Sequence, residues 1–256
     1  MYSAEQFRQD LLKLGLKPGD TVMMHSSFKS LGGIEGGAEA VFQTLLDILG
    51  EEGTLMLPAF SYATVNYDNP NFDRAQTPAC VGYLPEYFRT RVPGVVRSLH
   101  ATHSCTAKGK LARWLCENHE LDLTPVGKNS PLTKLPAVDG KILILGSPPS
   151  SNTIMHGVEE AGNAPYTLDY DRPIPYVLRD GDREIHQSAL RHYFHRETYS
   201  YAQRYQRVIP LLSEDDCKQG KVLDAQCYLL SARAVWEKGC EMLQRDPYYF
   251  VDRVDH

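Results

Sequence analysis

Lys141-Ile142-Leu143-Ile144-Leu145-Gly146 constrains the fold of this chain more than any other stretch. Four apolar residues in a row do not alternate, so the run suits a strand in a sheet covered on both faces. A second apolar run, Thr21–Met24, leads into the polar turn His25-Ser26-Ser27-Phe28-Lys29-Ser30-Leu31-Gly32-Gly33. An apolar-periodic segment follows and predicts a helix over Gly37–Gly50, closed by its glycine. Another strand is expected over Gly53–Phe60. Strand, turn, helix and strand in this order describe an α/β protein.

The remaining segments extend that pattern. Ala4–Leu14 is amphipathic, with Ser3 placed as its N-cap. Residues 62–77 carry Asn, Asp, Pro and Tyr without a period and read as a long loop. Helices are expected over Val81–Arg89, Ala107–Leu121, Ser151–Ala161, Thr198–Leu212 and Ala232–Leu243, the last as the terminal helix. Val95–Leu99 and Asp224–Leu230 read as extended. Asp180-Gly181 within Pro175–Gln187 signals a hairpin. No Gly/Ser/Pro linker divides the 256 residues, so a single α/β domain spanning 1–256 is expected.

Composition excludes several classes. The net charge is −5, from 27 Lys and Arg against 32 Asp and Glu, which gives no basic footprint for nucleic acid. Mean hydropathy is −0.38, and no apolar run approaches the ~18 residues of a membrane span. Six scattered cysteines form no C-x-x-C pair. The first residues lack the basic and apolar regions of a signal peptide, so reduced thiols and a cytoplasmic location are expected.

Several residues point to chemistry. A Ser- and Gly-rich turn before a helix offers N–H groups and hydroxyls to a phosphate, although the same residues also simply cap helices. His156 and Glu159 lie three apart on a short helix just after the Lys141–Gly146 strand, where α/β sheets place ligands. A histidine oriented by a carboxylate is the usual form of a general base. Glu160 and Glu184 are alternative orienting carboxylates. His100-x-x-His103 could offer two imidazoles to a metal, but the spacing is loose, no carboxylate adjoins it, and no metal is expected. Cys105 could accept an acyl group, or could be a small buried apolar residue. Arg191-His192-Tyr193-Phe194-His195-Arg196, continuing through Tyr199, Tyr201, Gln203, Arg204 and Tyr205, is the densest basic and aromatic cluster and suits a phosphate, carboxylate or sugar ring.

Taken in order, His25-Ser26-Ser27-x-Lys29-x-x-Gly32, Gly36-Gly37-Ala38, Gly53-Thr54-Leu55-Met56-Leu57-Pro58-Ala59-Phe60, His100-x-x-His103-Ser104 and Asn152-Thr153-x-x-His156-x-x-Glu159 resemble the antibiotic N-acetyltransferase family. Its best-known members are the aminoglycoside 3-N-acetyltransferases. The resemblance covers nearly the whole chain. It implies a three-layer α/β/α sandwich with a largely central mixed sheet and a C-terminal hairpin and helical portion. It implies direct acetyl transfer from acetyl-CoA, with His156 as the base that activates an acceptor amine and Glu159 orienting it. Ser26, Ser27, Lys29, Ser30, Leu31, Gly32 and Ser104 are expected at CoA. Donors near Ser26–Gly32 and Thr102–Thr106 are expected at the oxyanion.

The chain departs from drug-modifying members after the hairpin. They carry an acidic stretch there, whereas Gln187-Ser188-Ala189-Leu190-Arg191-His192 is neutral to basic. Arg191, His192 and His195 are therefore expected to line the site of a neutral or anionic acceptor, an amino sugar or similar molecule. The expected protein is a monomer or homodimer without nucleic-acid or membrane partners. The rivals are an aminoglycoside-resistance enzyme, a hydrolase of CoA thioesters or at a metal site, and a CoA-binding protein that has lost catalysis.

Overall fold

Two apolar layers on opposite faces of one sheet account for most of the core. A computed structural model describes all 256 residues. Its seven-stranded sheet runs in the order Cys217–Val222, Ala225–Ser231, Lys141–Leu145, Thr21–Ser26, Thr54–Pro58, Cys105–Gly109, Val96–Arg97. The three middle strands are parallel, and the outer ones pair antiparallel, so the sheet is mixed.

Strand pleating sends alternate residues to opposite faces. Val22, Met24, Leu55, Leu57, Leu143 and Leu145 meet the helices Ala4–Leu14, Gly37–Leu49 and Tyr83–Arg91. Met23, Met56, Ile142 and Ile144 meet Ile154–Ala161 and Ala232–Arg245 on the other side. Burial on both faces is why Lys141–Leu145 has no polar alternation. The result is the three-layer α/β/α sandwich that the resemblance implies. The first helix starts with the expected Ser3 cap, which with Gln6 forms a capping box. No helix is long and apolar enough to cross a membrane.

Two expected helices are instead strands with short helical turns. Residues Cys105–Gly109 pair with Thr54–Pro58, and helix survives as a short α-helix over Ala112–Cys116 and a 3₁₀ turn over His119–Leu121. Gly109 has φ +125°, and a side chain there would strike the Gly53 backbone, so sheet packing overrides the helical period. Tyr199–Gln203 pairs with Val251–Asp255, a strand that follows the supposed terminal helix. Tyr205–Leu211 then forms a 3₁₀ helix containing Pro210. Cys217–Val222, not anticipated as a strand, closes one edge of the sheet. The expected hairpin forms from Ile174–Asp180 and Arg183–Ala189, and Asn71–Asp73 of the long loop adds a third strand.

Candidate active site

Helix Ile154–Ala161 turns Ile154, Met155 and Val158 into the core. The same helix carries His156, 9% exposed, and the fully buried Glu159. A buried carboxylate is costly unless its oxygens are satisfied. Both are: Tyr166 donates to Oε1 at 2.9 Å and Tyr205 donates to Oε2 at 2.8 Å. The Tyr205 oxygen also lies 3.0 Å from His156 Nδ1, while the direct His156–Glu159 approach is 3.5 Å. A phenol has one proton. With that proton on the carboxylate, its oxygen accepts from Nδ1–H, which leaves His156 Nε2 unprotonated. Burial holds the imidazole below its usual pKa, opposed by the nearby Glu159 carboxylate, with His192 lowering it further.

His156 stands between two cavities. The larger, about 460 Å³, is lined by Tyr62, His103, Arg191, His192, His195 and Gln203 among others. The smaller, about 230 Å³, lies against His25, Ser26, Ser147, Thr153 and Tyr205 at the carboxyl ends of the Thr21–Ser26 and Lys141–Leu145 strands. Tyr62, His156 and Gln203 line both. Ser26 Oγ, Thr153 Oγ1 and His25 Nε2 are buried without a protein partner. Burial pushes His25 down to about 3, so this imidazole is neutral.

A family profile described as aminoglycoside 3-N-acetyltransferase matches residues 23–244. The chain belongs to this family of acetyltransferases. It is 38% identical over 194 residues to aminoglycoside N(3)-acetyltransferase VII of Streptomyces paromomycinus, covering 68% of this chain and 66% of that enzyme. Among solved structures it resembles aminoglycoside acetyltransferase AAC(3)-Xa, with a TM-score of 0.81 and 28% identity over 95% of this chain and 93% of that one. AAC-IIIb in its binary complex with CoASH gives a TM-score of 0.80 at 26% identity, covering 95% and 97%.

Within this acetyltransferase framework, the residues expected at CoA divide. Ser26 lines the smaller cavity. Ser27 and Ser30 bond to each other at 2.8 Å, and Lys29 and Ser30 are exposed at the rim turn. The Leu31 side chain is buried in the core, so it presents only backbone. Gly32 has φ +79°, and a Cβ would run into the Asp224 carboxylate; packing explains this glycine without a ligand. Ser104 is fully buried, donates to Ala59 O at 2.8 Å and accepts from Arg97 Nε at 2.9 Å. Arg97 in turn holds the backbone of Thr77. Ser104 therefore clamps the long loop.

The expected oxyanion donors near Thr102–Thr106 are largely engaged. The Thr102 and His103 amides donate to His100 Nδ1, and the Cys105 amide to Ser98 Oγ. Cys105 is fully buried and its thiol is pushed well above the usual range by burial, so it is no acyl acceptor. Of the alternative carboxylates, Glu160 accepts from the Val126 amide and pairs with His192 Nε2 at 2.8 Å. Glu184 pairs with Arg179 and His186 on the hairpin. Arg191, His192 and His195 all reach the larger cavity. Tyr166 and Tyr62 carry no signal in the sequence, and Gln203 and Tyr205, which belong to the basic and aromatic run after Arg191, give no sign there of meeting His156 at the smaller cavity. A tyrosine on a distant segment leaves no spacing signal, since only the fold brings residues 156 and 205 together.

Proposed function

We propose that the protein is an acetyl-CoA-dependent N-acetyltransferase, one domain of 256 residues, acting on an amino group of a sugar or sugar-like small molecule. The carrying observation is the meeting of two cavities at His156, Tyr62 and Gln203. Acetyl-CoA enters the smaller cavity and presents its thioester near Ser26 and Thr153. The acceptor occupies the larger cavity with its amine at His156 Nε2. As the amine attacks the thioester carbon, Nε2 takes its proton. Glu159, through Tyr205, stabilises the imidazolium formed. The unpartnered Ser26 and Thr153 hydroxyls are suited to donate to the oxyanion. Collapse breaks the C–S bond, and the proton passes from His156 to the departing thiolate, giving the amide and free CoA. This chemistry calls for positioning and a base and needs no metal.

None of the fifteen residues lining the larger cavity is Asp or Glu, while Arg191 and four histidines are present. That lining supports a neutral or anionic acceptor over a polycation. The decisive assay supplies acetyl-CoA with amino sugars, nucleotide-linked amino sugars and aminoglycosides, and follows thiol release. Amine-dependent release is expected. Release at the same rate without any amine would identify a thioesterase and overturn the reading.

A further inference from the structure

We propose that His103, His156 and His192 form a three-nitrogen site for a divalent transition-metal ion of the zinc class, and that the bound ion blocks acetyl transfer. The ligating atoms of the three imidazoles all lie within 4.8 Å of one another. The rings come from three separate segments and meet with centroids 4.6–5.7 Å apart. His100, the other half of the H-x-x-H pair, is turned away and accepts backbone amides.

Each ring is fixed from behind. His103 Nδ1 is 2.9 Å from Thr102 Oγ1, His156 Nδ1 is 3.0 Å from the Tyr205 hydroxyl, and His192 Nε2 is 2.8 Å from Glu160 Oε1. This is the outer arrangement that orients imidazole ligands at metals: one nitrogen held by a hydroxyl or carboxylate, the other free. The nitrogens left without these bonds are Nε2 of His103, Nε2 of His156 and Nδ1 of His192, and one nitrogen of each ring lies within 4.8 Å of the other two. All three residues line the larger cavity, so a fourth position is open to water. Bonds of about 2.1 Å in tetrahedral geometry require nitrogens about 3.4 Å apart. The widest pair therefore closes by up to about 1.4 Å. Imidazole ligands favour zinc, copper, nickel or cobalt over magnesium and calcium.

A coordinated Nε2 has no lone pair left for a proton. Inhibition therefore rests on His156 being the base, whereas binding does not. The ion also occupies the position of the acceptor amine, so inhibition is competitive with the acceptor.

The test titrates chelator-treated, full-length protein with Co²⁺ and follows its visible absorption, alongside turnover. One equivalent is expected to give the intense bands of a low-coordinate nitrogen site without thiolate charge-transfer bands, and Mg²⁺ is expected not to compete. His103→Gln and His192→Gln, each checked for an unchanged melting temperature, are expected to weaken binding by at least about tenfold, the scale for damaging a ligand set. His186→Gln, outside the cluster, is expected to bind normally. Undiminished binding in both cavity variants, or thiolate bands, overturns the site. Normal binding with uninhibited turnover overturns the inhibitory half and the role of His156 as base together.

Discussion

The hydroxyl of Tyr205 lies 3.0 Å from His156 Nδ1, across a sequence separation of 49 residues. Glu159 acts on the imidazole chiefly through this phenol, since the direct approach is longer at 3.5 Å. Tyr205→Phe removes the relay and one of two donors to a buried carboxylate. A hydrogen bond to a charged group is worth about 1.5–3 kcal/mol, so kcat is expected to fall by roughly tenfold or more, with the acetyl-CoA KM little changed. Steady-state kinetics of the variant checks this, and an unchanged kcat would remove Tyr205 from the site.

His156→Ala is expected to lower kcat by roughly 10²–10⁴, the contribution of a general base. CoA affinity, measured by calorimetry, is expected to change little. In the wild type, the ring faces Glu159, Glu160, Tyr205, His25, His103 and His192, and burial leads the lowering of its pKa. As the proposed base, His156 works when unprotonated. Its activity is therefore retained as pH falls to the ordinary imidazole value of about 6.5 and is lost below it. A kcat profile already declining between pH 8 and 7 with a single proton would contradict this environment.

Substitution of Gly32 separates packing from ligand binding. Its positive φ costs an L-residue about 1–2 kcal/mol, and a Cβ meets Asp224. Gly32→Ala is expected to lower the melting temperature of the CoA-free protein, and Asp224→Ala is expected to restore part of the loss. A Gly32→Ala protein with normal melting but lost CoA affinity would return this glycine to the donor site.

Arg191 lies 3.7 Å from Asp169 and packs on the Tyr193 ring at the cavity wall. Arg191→Ala is expected to raise the acceptor KM about tenfold for an anionic amino sugar, through loss of a charge-assisted hydrogen bond. A neutral acceptor should change less. The acceptor charge argument is wrong if an aminoglycoside exceeds every anionic amino sugar in kcat/KM.

Much of this site was legible because its signals are local. His156 and Glu159 share a helical face, and Lys141–Leu145 announces a sheet buried on both sides. The failures share a cause. Ala107 and Tyr199 lie in strands chosen by their partners, Met56 and Asp255, which no local period reports. The histidine cluster was hidden for the same reason: His103 was paired by spacing with His100, whereas the fold gives it His156 and His192.

Acid should destabilise the folded chain through its sealed imidazoles. Burial holds His25 at about 3 and His100 at about 4, and His119 well below its ordinary value. Below about pH 6.5 the unfolded chain binds protons that the folded one refuses, so stability falls as pH falls from about 6.5 towards 4, at about 1.4 kcal/mol per unit per group. Scanning calorimetry should show the melting temperature dropping between pH 7 and 5. A flat profile would mean that these rings titrate freely.

The partition of Tyr62, His156 and Gln203 also dictates the order of events. With Cys105 sealed in the core, its thiol cannot hold an acetyl group between the two cavities. On the proposed direct transfer the group crosses while both substrates are seated, so initial-rate kinetics are expected to show a ternary complex rather than a ping-pong course. An enzyme loaded with donor alone keeps its thioester intact until an amine arrives on the far side of the same ring.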